Sequence, residues 1–414
     1  VSRVTAPVLI SAFLALLIPS VLLVPPVGAQ GSVVVWSDQP DMAFFAEVYN
    51  ATHDHGILVR FKDNLASSMV QEAPEADLLV GTYLNSPIVR TGLRSLEPVL
   101  ESIPEPPSAL LLGIPQERTP VRLLPVAYQL PAIIINPAGE LRVPPVFITM
   151  DDLAVNAHKF NRYFENGSPR RLAFVPRYNP LAKYYLLRVL GTSFSASAEE
   201  EIQWNRNEFD DSVTALFDWV TGICGSRTDE SEFVEKYLYD PVPQQFARNR
   251  IGFAFSSSGE ILHWNNLGNT DFRWLASDDH RIPVMDDIVW AGIPASAARS
   301  DAAEEFLVWL FTPETQEFLI QAKAERRIPR FGLFGGFSTL SSINTGILTT
   351  LYPQLQGRLV PDDLLTAPPL LPRYWNEAIR EVLLPLLQDQ NISPQEMSGA
   401  LSGRMNQWYL QRGD

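Results

Sequence analysis

The sequence predicts an α/β protein of two domains on three observations: its length, an opening alternation of β-branched runs with helical segments, and a second such block after a proline-broken crossover. A chain of 414 residues is long for one core, since compact domains usually run about 100–200 residues and cores stop growing near about 250–300. Its hydrophobic share of 46% and charged share of 19% are those of a folded chain and too apolar for a disordered one.

Residues 32–36 (SVVVW) suit a buried strand, and Phe44, Phe45, Val48 and Tyr49 follow with helical spacing. Further strands at 56–61 and 76–81 (ADLLVG) come at the intervals of strand-helix-strand units, which implies a mainly parallel sheet. Residues 96–120, rich in Pro and Leu, read as irregular connection with one helical turn. In 123–136 (LLPVAYQLPAIIIN), Pro131 breaks two extended runs and suggests an edge or crossing strand rather than a central one.

The second block starts a helix at Asp151-Asp152, then a strand at 171–176 (RLAFVP), a helix at 181–190, a polar helix at 199–219 and a buried strand at 251–255 (IGFAF). Next come 288–292 (IVWAG) and two helices. Ser300 is the expected cap of the first, whose apolar stripe is Phe306, Leu307, Leu310 and Phe311, and Thr312-Pro313-Glu314 starts the second. A segment rich in Gly and Phe, 330–340 (RFGLFGGFSTL), leads to a helical tail at 372–387 and 393–409.

At the N-terminus, Arg3 precedes a long apolar run, and Val27 and Ala29 stand where a secretory signal would be cut before Gln30. Residues 1–29 are therefore expected to be a signal peptide that exports the protein, with an uncleaved anchor as the alternative; no Cys stands at the cut to carry a lipid. A net charge of −15, from 32 Lys and Arg against 47 Asp and Glu, argues against nucleic acid. The densest basic spot along the chain is Arg326-Arg327 with Arg330. One cysteine, Cys224, excludes an internal disulfide and any CxxC site, and reads as a buried small hydrophobe.

Signatures of zinc proteases, P-loops, α/β-hydrolases and Rossmann dinucleotide sites are absent. His53-Asp54-His55 reads as a turn rather than a metal site. The acidic pairs Asp151-Asp152, Asp210-Asp211, Asp286-Asp287 and Asp362-Asp363 read as helix starts or solvated faces, although a glycosidase's two acids meet in space and not in sequence. No cofactor is expected. What stands out is aromatic: Trp36, Tyr83, Tyr128, Tyr178, Trp264, Trp290, Phe331 and Phe334 fall at strand ends or in polar loops. Ligands of open α/β sheets bind beyond the strands' carboxyl ends, and aromatic faces backed by short polar groups suit a sugar.

The order of VVVWSDQPDMAFFAEVYNATHDHGILVRF, EADLLVG, LPVAYQLPAIIIN, RIGFAFSSSG and WAGIPASAARSDAAEEFLVWLFTPETQEFL resembles family 1 extracellular solute-binding proteins of ABC importers, the maltose-binding type. The resemblance implies two discontinuous α/β lobes, 30–130 with 281–328 and 131–280 with 329–414, joined by hinge crossings. It implies a carbohydrate held in the interlobe cleft, an ABC permease as partner, and a monomer outside the cytoplasm that is not an enzyme. It places ligand contacts at Trp36, Asp38, Tyr83, Gln129, Tyr178, Ser257 and Ser258; Tyr128, Trp264, Trp290 and Phe334 join the candidate ligand-binding residues on the aromatic reading above, and the neighbours of Trp264 match no pattern of the family. Gln129 stands where the maltose type has an acid, a departure that puts maltodextrin in doubt. An exported carbohydrate-active enzyme, or a binder of another small solute on the same fold, are the competing expectations.

Overall fold

The computed structural model describes residues 31–72, 75–113, 120–138, 140–263 and 271–412. The expected signal peptide and Trp264 lie outside them. Among the described residues no helix is long and apolar enough to cross a membrane, and no group of three or more His, Cys, Asp and Glu could hold a metal ion.

Two sheets organise the chain. The first contains β1 (Val33–Ser37), β2 (Ile57–Phe61), β3 (Leu78–Thr82) and β4 (Leu124–Tyr128). The strands Val289–Gly292 and Phe337–Ser338 complete its six. β1 lies parallel to β2 and β3, and Val289–Gly292 runs antiparallel between β3 and β4. The carboxyl ends of β1 to β4 and the start of Val289–Gly292 therefore share one edge. The second sheet contains β5 (Pro131–Ile135), β6 (Phe147–Ile148) and the strands Phe253–Ser257 and Asp271–Leu275. Pairing of Ser257 with Pro131 and of Trp274 with Ala132 brings its own edge to the same junction.

Several expectations change. β5 is central, flanked on both sides, because Pro131 is its first residue, where a missing N–H costs no ladder bond. The run 171–176 is not a strand throughout: the strand ends at Arg171, Leu172 makes one bridge to Ile251, and Pro176 opens a 3-10 turn. The polar helix starts at Arg206, after a short strand Ile202–Trp204. The segment 96–113 holds two short helices, Glu97–Ser102 and Ala109–Leu112. Ser300 begins its helix without capping it, and its hydroxyl goes to Asp301.

The crossing expected near Ile328 comes later. Phe337 and Ser338 still pair with β4, and Phe331, Leu333, Phe334 and Phe337 are buried in the first core. Tail residues from Leu371 onward pack in the second. The segment between them straddles the sheets, with Trp274 donating to the Arg358 carbonyl (2.6 Å) and stacking edgewise on Phe337.

The two helices Ser300–Leu310 and Pro313–Glu325 pack behind the first sheet, where Phe306 and Trp309 meet the ring of Tyr49 at 5.0 Å each. The second also anchors the loop beyond β1: the buried Lys323 ammonium donates to Asp41 and to the Gly332 carbonyl (3.0 Å). Cys224 is buried, as expected. His53 stacks on Tyr49 at 3.8 Å.

Candidate functional site

The junction is built around the crossing Gln129-Leu130. In extended chain, successive side chains point to opposite sides. Tyr128 and Leu130 face a cavity of about 540 Å³ behind the crossing, shared with Pro106, Phe337 and Asp362. Gln129 turns the other way. Its Nε2 donates to Asp287 Oδ2 (2.7 Å) and its Oε1 accepts from Gly259 N (3.3 Å). One amide thus ties the return segment to the first turn of the Ser258–His263 helix.

Asp286 and Asp287 divide between the lobes. Asp286, buried, accepts from Tyr184 Oη, Arg188 Nη1 (2.7 Å) and Trp375 Nε1 (2.7 Å), all in the second lobe. Asp287 faces the crossing. Burial, reinforced by the neighbouring charge of Asp286 and opposed by Gln129 and Arg330, pushes its carboxyl up to about 6. Its Oδ1 is enclosed and has no hydrogen-bond partner among the described residues, a costly state for a carboxylate oxygen.

The edge of the first sheet supplies the rest. Asp38 Oδ2 accepts from Thr82 N (2.9 Å) and Thr82 Oγ1 (2.7 Å), and its Oδ1 accepts from Gln39 Nε2 (2.6 Å). Burial raises the Asp38 carboxyl against those bonds. Gln39 in turn accepts from Arg330 Nη2 (2.9 Å). Gly81 makes room for this arrangement: a Cβ there would lie 2.5 Å from Asp38 Oδ1 and 2.7 Å from Leu65. Gly81→Ala should therefore cost about 1–3 kcal/mol, read by urea denaturation; an unchanged midpoint would contradict the close packing.

Tyr83 follows β3 with φ 58, a left-handed conformation unusual for a bulky residue. It packs against both cores. Burial, then the charges of Asp287 and Asp286, push its hydroxyl well above the usual range, so it stays a neutral donor. The lobes also touch where Ile88 N donates to Glu200 Oε1 (3.4 Å).

Of the residues expected to meet ligand, Asp38, Tyr83, Gln129, Ser257 and Ser258 come together at this junction. Ser258 is occupied, exchanging bonds with Leu130 through N (2.9 Å) and Oγ (3.1 Å). The first-turn N–H groups of its helix are likewise taken, by Gln129 and Ser257, so they are not free for ligand oxygens. Trp36 is buried on β1 with Lys62 Nζ 4.3 Å from its ring centroid, and its Nε1 has no hydrogen-bond partner among the described residues. Trp290 is buried in the first core opposite Gly81. Phe334 packs on Phe45 at 4.9 Å. Tyr178 sits elsewhere, accepting from Gln245 (3.2 Å) beside Phe233. Sequence reasoning missed Asp287, Arg330 and Thr82. Thr82 is the last residue of β3, and Asp287 and Arg330 lie between sheet strands; only those positions could have flagged them.

Comparison of the sequence with protein-family models gave no match, and comparison with curated proteins gave none. The structure is similar to solved ones. The sugar-binding protein MalE of Xanthomonas citri superposes with a TM-score of 0.68 at 11% identity, covering 92% of this chain and 98% of that one. A family 1 extracellular solute-binding protein of Alicyclobacillus acidocaldarius gives 0.61 at 11%, covering 92% and 99%. The cyclic α-maltosyl-1,6-maltose binding protein of Arthrobacter globiformis gives 0.57 at 16%, covering 90% and 94%. The chain has the two-lobed α/β fold of the maltose-binding type of solute-binding protein.

Proposed function

We propose that this protein is the extracytoplasmic solute-binding component of an ABC importer, a monomer that closes its two lobes over a carbohydrate and presents it to a membrane permease without chemical turnover. The observation that carries the reading is the junction itself. The strand ends of both sheets converge on Gln129, Asp287, Asp38 and Tyr83, polar groups suited to hydroxyls, as the ends of open α/β sheets are in ligand sites. The fold's sugar-binding neighbours support the choice of solute. Tyr83 touching both cores, and the Ile88 to Glu200 bond between lobes, suit a closed state that ligand would favour through contacts to both sides.

A saccharide panel tested by thermal denaturation should find a ligand that stabilises the protein by about 2.7 kcal/mol at a hundredfold excess over Kd. No shift across mono- and oligosaccharides would sink the sugar assignment. A cationic solute is the second reading, favoured by the unpartnered Asp287 Oδ1 with Asp286 and Asp38 close enough to act on the same Tyr83 hydroxyl; polyamines in the same panel separate the two. Turnover of chromogenic glycosides by pure protein would contradict a pure binder.

A further inference from the structure

Besides the Arg326-Arg327 pair visible along the chain, the fold assembles a second concentration of positive charge in space. A cavity of about 680 Å³ is lined by Arg162, Arg170, Arg171, Arg248 and Arg250, brought together from a short hairpin and the loop before the Phe253–Ser257 strand. In a chain of net charge −15, five guanidiniums around one cavity require an explanation.

Little of that charge is neutralised from within. Asp240 pairs with Arg248 (2.7 Å) and Arg250. The other three make no carboxylate contact among the described residues: Arg162 donates to the Lys159 and Asn161 carbonyls (2.8 and 2.6 Å) and Arg171 to the Phe160 carbonyl (2.7 Å). Arg170, on the strand Pro169–Arg171, is exposed. Burial, then the like charges of Arg162 and Arg170, hold the Arg171 pKa below the usual arginine range. Glu140 opposes them only weakly.

An independent feature stands beside it. Tyr163 and Phe164, on the cavity wall, are 43% and 41% exposed, and Leu238 and Tyr239, flanking the turn that holds Asp240, are 58% and 93% exposed. Large apolar and aromatic side chains left in water next to arginines are the combination found at membrane interfaces, where the rings enter the headgroup layer and the guanidiniums take the phosphates. The patch lies at the far pole of the second lobe. Arg250 precedes the strand whose other end, Ser257, reaches the junction, about 23 Å away at about 3.3 Å per residue.

We propose that this pole is a docking surface for the phosphate headgroups of an anionic phospholipid membrane. The rest of the acidic molecule does not prevent it, because charges beyond about 8 Å are largely screened at about 0.15 M salt. The test is co-sedimentation of the full chain with vesicles of two parts phosphatidylcholine to one part phosphatidylglycerol, against phosphatidylcholine alone, at about 0.15 M salt. Wild type should partition to the anionic vesicles and not to the neutral ones. The double variant Arg162→Glu, Arg170→Glu, both at exposed positions, should lose about tenfold or more, and Tyr239→Ser should weaken partition while keeping the thermal melt unchanged. Inorganic pyrophosphate at matched ionic strength distinguishes the source of the phosphate: displacement supports recognition of the group itself, and no displacement supports recognition of it within a lipid surface. Equal partition to both vesicle types, wild-type partition by the double variant, or pyrophosphate binding with no vesicle binding would each overturn the proposal.

Discussion

Asp287→Asn should make the protein more stable above pH 6 and leave it nearly unchanged at pH 4. The wild-type carboxyl rises from an ordinary 3.8 to about 6 on folding, so between those values the folded state holds more proton than the unfolded one. Stability therefore falls as pH rises from about 4 to about 6, and the cost is fully present at neutral pH, on the order of 2–3 kcal/mol. An amide keeps the shape and removes the charge. Urea denaturation from pH 4 to 8 should show a flatter pH dependence in the variant, and a slope equal to wild type would sink this account. If the junction binds ligand, the same substitution weakens it by tenfold or more, about 1.4 kcal/mol, so stability and affinity move in opposite directions. That divergence separates a functional carboxylate from a structural one.

Its neighbour should behave in the opposite way. Asp286→Ala leaves Arg188, whose side chain is 4% exposed, with its charge buried and unpaired. It also strips the acceptor from Tyr184 and Trp375, which are fully buried. Removing one partner of such a network costs about 3–5 kcal/mol, enough to consume much of a domain's net stability of about 5–15 kcal/mol. Thermal and urea melts should both show the loss, with the second lobe most affected, since Tyr184 and Trp375 belong to its core. A change below about 1 kcal/mol would mean that the three donors find other acceptors. Two adjacent acids of the same type are thus expected to give opposite signs, because one faces a fully bonded interior and the other faces the junction.

Much of the scaffold was legible beforehand. The β-branched runs at 33–37, 57–61 and 78–82 are strands within a residue or two of their expected bounds, and the helix of Phe44, Phe45 and Tyr49 buries those side chains. Short apolar runs and helical stripes are local patterns, and local patterns are written in consecutive residues. Pairing is not local. Nothing within RFGLFGGFSTL says that Phe337 and Ser338 will close the edge of the first sheet beside β4, so the crossing was expected about ten residues too early.

The candidate site was legible only where a strand end marked it. Asp38, Tyr83 and Gln129 follow β1, β3 and β4 directly, and strand ends are visible in sequence. Asp287 reads in sequence as half of an ordinary acidic pair, and Tyr178 as a loop aromatic no different from Tyr83. What distinguishes them is the partner each meets: Gln129, 158 residues away, for Asp287, and Gln245, 67 residues away, for Tyr178. The arginine pole follows the same rule, since its members come from 162–171 and 248–250, two segments far apart in the chain. By itself the sequence determined most of the elements, the α/β class and the resemblance to a solute-binding scaffold, because each rests on patterns written in consecutive residues. Only the tertiary structure decided which polar groups face the junction, which are spent inside a lobe, and where charge accumulates, because those depend on contacts between segments whose separation along the chain carries no local signal.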